Sequence, residues 1–384
     1  MNRAYVYRLK PNKDQINQLL QWAGAGRKIW NHFLDLNIKR YKEEKKFIFY
    51  NEMAGMLPSL KEELPWLKDV PSQALQQRLK DLDKALKAKF KSNFGFPSFK
   101  SKHHKSDTLR IPQTNGHIKQ NKKNITIPKM EPIKWIRHRN LQGILKSITI
   151  KQNLSKWDVI CLTELPNIQP ILEVYEDEIL GIDLGLIDFG ICTDGVVIET
   201  KKFYRDSLNK LKHRQRRVSK AKKTSNRRNK QKKILAKLHK KVANQRKDFL
   251  HKESSAIAKH YKFVGLEDLN ITGMLKNRNM AKSISDQGWN MFGSFLSYKT
   301  QVVWVDRWYP STKTCCMCRE KHNLTLDQRT YVCSSCGNTM PRDLNAGYNI
   351  LNWAIDYLDR TGTVQIKGRK NTPSKIQPTG VLIP

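Results

Sequence analysis

The sequence predicts an α/β protein that also carries a helical part and a small β-barrel part. Three successive textures along the 384 residues predict it. Residues 11–90 repeat apolar side chains at helical spacing. Residues 95–175 break into short β-prone runs, and from about 178 strands alternate with helices. At roughly 100–200 residues per domain, the length allows two or three such parts.

The first helix is written in "KDQINQLLQWAGAGRKIWNHFLDLNIKRYKEE", where Ile16, Leu19, Leu20, Trp30, Phe33, Leu34 and Leu36 fall near helical spacing. A second follows Pro71. It repeats Leu75, Leu79, Leu82, Ala85 and Leu86, and its other face carries Gln73, Gln76, Gln77, Arg78 and Lys80. The runs "FPSFKSK", "NITIPKM", "KSITIKQ" and "WDVICLTEL", separated by turns, suit a small barrel or sheet. Then "EILGIDLGLIDFGICTDGVVIETKKF" reads as three strands with tight turns. A basic helical stretch over about 204–250 is broken into a hairpin near "TSNRR". The strand "KFVGLED", a helix near 285–300, the strand "QVVWVDRWY", a cysteine region and a helix from about 343 complete the order. The tail from about 360 is polar, holds Pro and Gly, and reads as loose.

Charge narrows the function. Lys and Arg number 72 against 34 acids, a formal net charge of +38. A compact chain this basic repels itself unless a polyanion joins it. Residues 201–247 alone hold 21 Lys and Arg against one acid, Asp206. No run of about 18 apolar residues marks a transmembrane helix. The start "MNRAYVYRLKPNKDQ" lacks an apolar signal region, so a cytoplasmic protein is expected. No amphipathic anchor with Trp or Phe on one face points to a membrane surface. Nucleic acid remains, held with a strong dependence on salt.

Three acids sit where chemistry is possible. In an extended "GIDLG", Gly181, Asp183 and Gly185 share one face and Ile182 and Leu184 the other. In "VGLEDL", Glu267 shares a face with Gly265, while Asp268 goes with Val264 and Leu266. In "RDLNAGYNI", Asp343 opens a helix whose same-face neighbours are Ala346, Gly347 and Ile350, and the small ones among them allow close approach to a sheet. Singly, each acid could be a turn, surface or capping residue. Together, on glycine-lined faces in a basic chain, they suit a nuclease site holding two Mg²⁺ about 3.5–4 Å apart. Asp188, Asp194 and Asp306 stand in reserve.

The seven cysteines suit a reducing compartment, where paired spacings mean metal rather than disulfides. Cys315 with Cys318 and Cys333 with Cys336 form two CxxC pairs, the arrangement of a four-thiolate structural Zn²⁺ site. Cys316 is a bystander in this register. Cys161 and Cys192 lie in apolar runs and read as core.

The motifs "GIDLGLIDFGICTDG", "VGLEDLN", "YPSTKTCCMC…YVCSSCG" and "RDLNAGYNI", in this order, resemble TnpB. This family comprises the RNA-guided nucleases of insertion sequences, ancestors of the type V CRISPR effectors. The likeness reaches the N-terminal half through "NHFLDL" and "PSQALQQRLKDLDKALKAKFK…FPSFKSK", and covers most of the chain to about 356. It implies a wedge-type β-barrel at 1–10 and 96–177, interrupted by a helical recognition domain at 11–95. An RuvC domain of RNase H-like fold would occupy 178–312 and 339–358, with a zinc ribbon inserted at 313–338 and a loose tail at 359–384. Asp183, Glu267 and Asp343 would be its catalytic, Mg²⁺-holding acids. Two positions depart from the family: Pro341 stands where an acid or His is common, and Arg319 where the first knuckle often has Gly.

The resemblance further implies a monomer in a ribonucleoprotein, associated with the prokaryotic nucleoid. Its guide RNA would derive from a transposon end, and the complex would cleave double-stranded DNA beside a short adjacent motif. Tyr50 and Asn51 match the region of the motif reader, and Gln73, Gln76, Gln77 and Arg78 offer base-edge contacts. Arg214, Arg216, Arg217, Arg227 and Arg228 would grip the heteroduplex backbone. Trp289 reads as a packing anchor. The competing readings are a nuclease-inactive RNA-guided repressor and an RNA-independent transposase or resolvase.

Overall fold

The computed structural model describes residues 2–91, 95–102, 108–113, 116–154, 156–166, 173–325, 327–362 and 364–368. The chain divides into two units, residues 1–168 and 169–384.

The first unit begins with β1 (Asn2–Lys10) and the long helix α1 (Lys13–Glu44). Asn12 and Gln15 form a reciprocal capping box that satisfies the first free amides of α1. Its buried stripe is Leu19, Trp22, Ile29, Phe33 and Leu34, whereas Leu20 faces solvent. α2 (Tyr50–Glu63) and a short 3₁₀ turn (Pro65–Asp69) lead to Pro71, after which α3 (Ser72–Lys91) starts as expected. Leu75, Leu79, Leu82 and Leu86 of α3 are all buried.

The strands β2 (Thr108–Pro112), β3 (Lys119–Gln120), β4 (Asn124–Ile127), β5 (Met130–Ile136), β6 (Ile144–Asn153) and β7 (Lys156–Glu164) join β1 in one antiparallel sheet. Its order is β2-β6-β7-β1-β5-β4-β3. At about 4.8 Å per strand, a flat sheet of this size would hold its edges roughly 29 Å apart. Instead the Gln113 side chain, just after β2, donates to the Ile118 carbonyl at 3.0 Å and accepts from the Ile118 amide at 2.8 Å, just before β3. The sheet is therefore rolled on itself. Tyr5, Tyr7, Ile133, Ile148 and Val159 share one core with the helices. The β-prone run "FPSFKSK" adds no strand, contrary to its composition. Asn31 of α1 captures both backbone groups of Lys100 at 2.9 and 2.7 Å, and Trp30 donates to the Ser98 carbonyl, so side chains satisfy this backbone instead of a ladder.

The second unit holds β8 (Glu173–Tyr175), β9 (Ile179–Asp183), β10 (Asp188–Cys192) and β11 (Val197–Glu199). The basic hairpin follows as α4 (Phe203–Lys220) and α5 (Asn226–His260), with Ser225 of "TSNRR" capping α5. Next come β12 (Phe263–Glu267), α6 (Ile271–Met274), α7 (Ala281–Gln287), α8 (Trp289–Ser297) and β13 (Gln301–Val305). Gly288, at φ 76°, divides the single helix expected near 285–300 into α7 and α8. β14 (Thr330–Val332) pairs with β15 (Thr339–Pro341), and α9 (Arg342–Thr361) runs to β16 (Gln365–Lys367).

The central sheet has the order β11-β10-β9-β12-β13, with β9, β12 and β13 parallel. One face carries Leu180, Ile182, Val264 and Leu266 against Leu250, Phe292 and Leu296 of α5 and α8. The other carries Ile179, Phe263 and Val303 against Ala354 and Leu358 of α9. Helices thus cover both faces, as a largely parallel sheet requires. α9 lies so close that a methyl at Gly181 would sit 2.3 Å from the Gly347 carbonyl oxygen and 2.8 Å from the Leu351 amide nitrogen.

The tail from 359 is not loose at its start, contrary to its composition. α9 continues to Thr361, and β16 pairs in parallel with β8. Val364 and Ile366 bury against the α9 face of the sheet, which gives this segment a hydrophobic reason to stay. Residues 369–384 lie outside the described residues.

Gly181→Ala is expected to destabilise the protein by about 1–3 kcal/mol, because backbone rather than a pliable side chain blocks the methyl. Gly55→Ala, in α2 with nothing within 4 Å, should stabilise by about 0.5–1 kcal/mol. Thermal unfolding of both variants checks the contrast; equal melting would refute the close approach.

Candidate active site and metal centre

Regular strand pairing brings the first two acids together without help from loops. β12 and β9 pair in parallel with Leu266 opposite Ile182, so the next residues, Glu267 and Asp183, end neighbouring strands. The carboxyl ends of parallel strands are where open α/β sheets bind ligands. The Gly181 contact lays α9 across this edge, with Asp343 in its first turn. Pro341, not Asp343, occupies the N-cap position, which leaves the Asp343 carboxylate available to the site.

The electrostatics report the convergence. Burial, then the carboxylates of Glu267 and Asp343, push the Asp183 carboxyl up to about 8, with Arg342 partly offsetting them. Burial also raises Glu267, opposed by a hydrogen bond that the Ser311 hydroxyl donates to it at 2.5 Å. Arg342 pairs with Asp343 at 3.0 Å, and Arg329 stands 4.0 Å from its other oxygen. Asp268 turns outward and pairs with Arg307 at 2.7 Å, on the face the strand period gave it. Of the reserve acids, Asp194 accepts from the Tyr261 hydroxyl and Asp306 from the Trp308 amide. Crowded carboxylates with no thiol or imidazole among them suit a hard divalent cation such as Mg²⁺.

An asparagine face on α9 fastens the segment that carries Ser311. The buried Asn349 donates to the Ser311 and Thr314 carbonyls at 2.7 and 2.6 Å. The buried Asn345 donates to the Thr314 carbonyl at 2.7 Å and accepts from the Cys316 amide at 3.0 Å. Asn352 donates to the Cys316 carbonyl. Segment 311–316 therefore connects the Glu267 contact to the first cysteine pair.

The Sγ atoms of Cys315, Cys318, Cys333 and Cys336 all lie within 4.8 Å of one another. Among the described residues they are the only group of three or more potential metal ligands gathered this way; the three carboxylates are not drawn so tightly together. Cys315 and Cys336 are 3.7 Å apart, and Cys318 and Cys333 3.5 Å. A tetrahedron with Zn–S bonds near 2.3 Å has edges of about 3.8 Å, so the set fits zinc.

The two knuckles repeat one hydrogen-bond pattern. The Cys315 and Cys333 amides each donate to the carbonyl five residues on at 2.8 Å, Glu320 and Asn338. Their own carbonyls accept from Arg319 and Gly337 at 2.9 Å, and these two residues share the left-handed region at φ 65° and 73°. Arg319 thus adopts the conformation that Gly would take more cheaply. His322 Nε2 lies 3.1 Å from the Cys333 sulfur, a neighbour that the CxxC spacing alone does not reveal. The Cys316 sulfur faces Met340, outside the four. Cys161 and Cys192 are core residues, as expected.

The other candidates scatter. Tyr50 and Asn51 line a cavity of about 500 Å³ with Gln77, Lys80, Lys84 and Arg110. Gln76 is exposed and Gln73 half-buried. Arg78, which the helical pattern puts on the solvent face of α3, turns its side chain inward, bonding the Thr108 carbonyl and pairing with Asp81. Gln77 is 9% exposed and spends its amide on Asp81 at 3.0 Å. At about 100° per residue Arg78 flanks the apolar stripe beside Leu79, whereas Gln77 lies nearly opposite the stripe, so its burial does not follow from the helical period. Arg216, Arg217 and Arg227 are exposed on the α4–α5 hairpin, while Arg214 and Arg228 are half-buried and Arg228 also donates to the Ala221 carbonyl. Trp289 is 5% exposed and packs in the core.

Fold and site define a strongly basic α/β protein with an acidic cluster at one sheet edge and a four-cysteine ribbon beside α9. Residues 167–278 match a family described as "Probable transposase" and residues 289–350 one described as "Cas12f1-like, TNB domain". Residues 1–46 match one described as "Helix-turn-helix domain", although one strand and one helix occupy them here. The "Putative RNA-guided DNA endonuclease InsQ" of Escherichia coli (strain K12) is 34% identical over 376 residues, covering 91% of both chains. The "Putative RNA-guided DNA endonuclease" of Streptomyces pristinaespiralis is 31% identical over 363 residues, 91% of this chain and 89% of that one. The solved "Cas12f1-sgRNA-target DNA complex" shares the fold at a TM-score of 0.53 and 16% identity, over 88% of this chain and 82% of that one. The chain belongs to the TnpB family. No described helix is long and apolar enough to cross a membrane.

Two outcomes are expected. The folded chain holds the Asp183 proton more tightly than the unfolded chain does. Its contribution to stability is therefore greatest at low pH and is lost as pH rises from about 4 towards 8. Without added divalent cation, melting temperature should fall as pH rises from about 4 to 8, and Asp183→Asn should flatten that slope; parallel curves would contradict the assigned crowding. Cys315→Ser should lower bound zinc and melting temperature together, whereas Cys316→Ser should leave zinc, measured by mass spectrometry, unchanged.

Proposed function

We propose that this protein is an RNA-guided DNA endonuclease that hydrolyses phosphodiester bonds at Asp183, Glu267 and Asp343. The observation that carries the proposal is the Asp183 carboxyl, raised by burial and by the charges of the other two acids at the edge of a parallel sheet. The relatives from Escherichia coli and Streptomyces are named for RNA-guided DNA cleavage, and each pairs with this chain over about nine-tenths of its length.

In this reading residues 178–312 and 339–358 form an RuvC nuclease, and residues 313–338 a zinc ribbon held by Cys315, Cys318, Cys333 and Cys336. The rolled sheet of residues 1–10 and 96–177 is the wedge domain, and the helices within 11–95 are the recognition domain. Asp183, Glu267 and Asp343 would hold two Mg²⁺ ions, which when bound activate water and stabilise the leaving oxygen. Ser311 fixes one oxygen of Glu267 and leaves the other for the site. Arg342 and Arg329 balance Asp343 from outside. Arg216, Arg217 and Arg227 grip phosphates without reading sequence, which base pairing with the guide supplies. The cavity at Tyr50 and Asn51, walled by Lys80 and Lys84, is suited to the short motif beside the target. The guide would derive from a transposon end, and the working particle would be one protein chain with its RNA, in the nucleoid.

The test is purification with bound RNA, sequencing of that RNA, and plasmid cleavage with Mg²⁺. The expected result is a defined guide and cutting beside a short motif. Asp183→Ala, Glu267→Gln and Asp343→Ala should each abolish cutting and retain target binding. Binding without cutting by the parent would instead support a repressor. Cutting and strand transfer without RNA would support a transposase.

A further inference from the structure

A cavity of about 910 Å³ opens beside Glu267, and its wall includes Trp289, Trp304 and Trp308 together with Asn290 and Ser294. The first two indoles have structural partners. Trp289 is buried, and Trp304 beds on α8 at Gly293, where a methyl would lie 2.5 Å from the ring. Trp308 has no such partner among the described residues: it is 84% exposed, more than any other large hydrophobic residue described.

Its exposure is built rather than loose. β13 ends at Val305, the ladder partner of Glu267, so the turn that follows rises from the same sheet edge as the acids. Asp306 accepts from the Trp308 amide at 2.8 Å through its side chain and from the Tyr309 amide at 3.0 Å through its carbonyl. Arg307 clamps Asp268 with two bonds, to the side chain at 2.7 Å and the carbonyl at 3.1 Å. The turn is held at both ends while the indole between them stands in water.

The charge around it selects the part of a nucleotide that fits. Glu267, Asp268 and Asp306 line the cavity, and Arg307, its one cation among the lining residues, is spent on Asp268. A phosphate is unwelcome there; a neutral base face is not. An aromatic platform beside a backbone-gripping basic protein is how single strands are held without sequence preference.

We propose that this cavity takes an unstacked base of the DNA strand being cut, stacked on Trp308, next to the phosphate at Glu267. The inference rests on the nuclease reading and adds a residue role: Trp308 is the fixed platform that holds the strand at the site. Every base has a π-face, so the platform holds the strand and leaves sequence choice to the guide.

The test uses single-stranded DNA carrying 2-aminopurine at successive positions and the Asp183→Ala ribonucleoprotein. The proposal expects fluorescence quenching confined to positions beside the cut. Trp308→Ala should abolish the quenching and weaken single-strand binding by about 5- to 150-fold, the range that loss of one stacked base gives. Trp308→Phe should restore most of both, and the exposed position makes equal melting temperatures the expected folding control. Unchanged quenching in Trp308→Ala overturns the proposal. So does loss of self-association in sedimentation with quenching intact, which would make the indole a contact between copies. The nuclease reading is judged separately, by whether the Asp183-containing parent cuts at all.

Discussion

The contact between Gly181 and α9 is the constraint on which the second unit depends. Without a side chain at Gly181, the helix backbone rests directly on β9. That proximity brings Asp343 over the strand ends where Asp183 and Glu267 already stand. Gly265, one strand over, does the same beneath Ile350, where a methyl would approach to 3.0 Å. Two glycines in register on adjacent strands form a flat seat for one helix. The chemistry of the site follows from that seat, because no loop has to be ordered to assemble the three acids.

The same helix explains why a cysteine ribbon is found here. A chain segment crossing α9 has polar backbone groups that must be satisfied away from water. Asn345, Asn349 and Asn352 satisfy them at four-, then three-residue spacing along one face. The four-cysteine cluster holds the far end of that segment, and Ser311 at its near end orients Glu267. The four-cysteine cluster is thereby part of what positions a carboxylate.

Much of this was legible. Strand alternation put Asp183 with Gly181 and Glu267 with Gly265, and helical spacing put Asp343 with Gly347, because neighbours on a regular element are set by its period. The CxxC spacing gave the cysteine set through a tight knuckle turn, which is equally local in sequence. What was not legible depends on partners distant in sequence. Ser311 reaches Glu267 across 44 positions, and nothing in "YPSTKTC" announces it. Arg78 has the polarity of a solvent-facing cation, but the Thr108 carbonyl and Asp81 draw it inward. "FPSFKSK" has the composition of a strand, but Asn31 supplies the hydrogen bonds a neighbouring strand would have given. The asparagine spacing on α9 is a local signal for such a segment, since three amides on a helix face that also packs need backbone partners.

The charge distribution sets the remaining condition. The whole chain carries +38, yet three of its acids crowd at one sheet edge. Attraction alone would draw a polyanion to the basic hairpin and repel it from that edge. A phosphate reaches the acids only if cations offset them and if the strand is held nearby by groups indifferent to charge. Carboxylates suited to divalent ions meet the first condition. A fixed, exposed indole beside Glu267 meets the second, since stacking grips the neutral part of a nucleotide where grip on the phosphate is weakest.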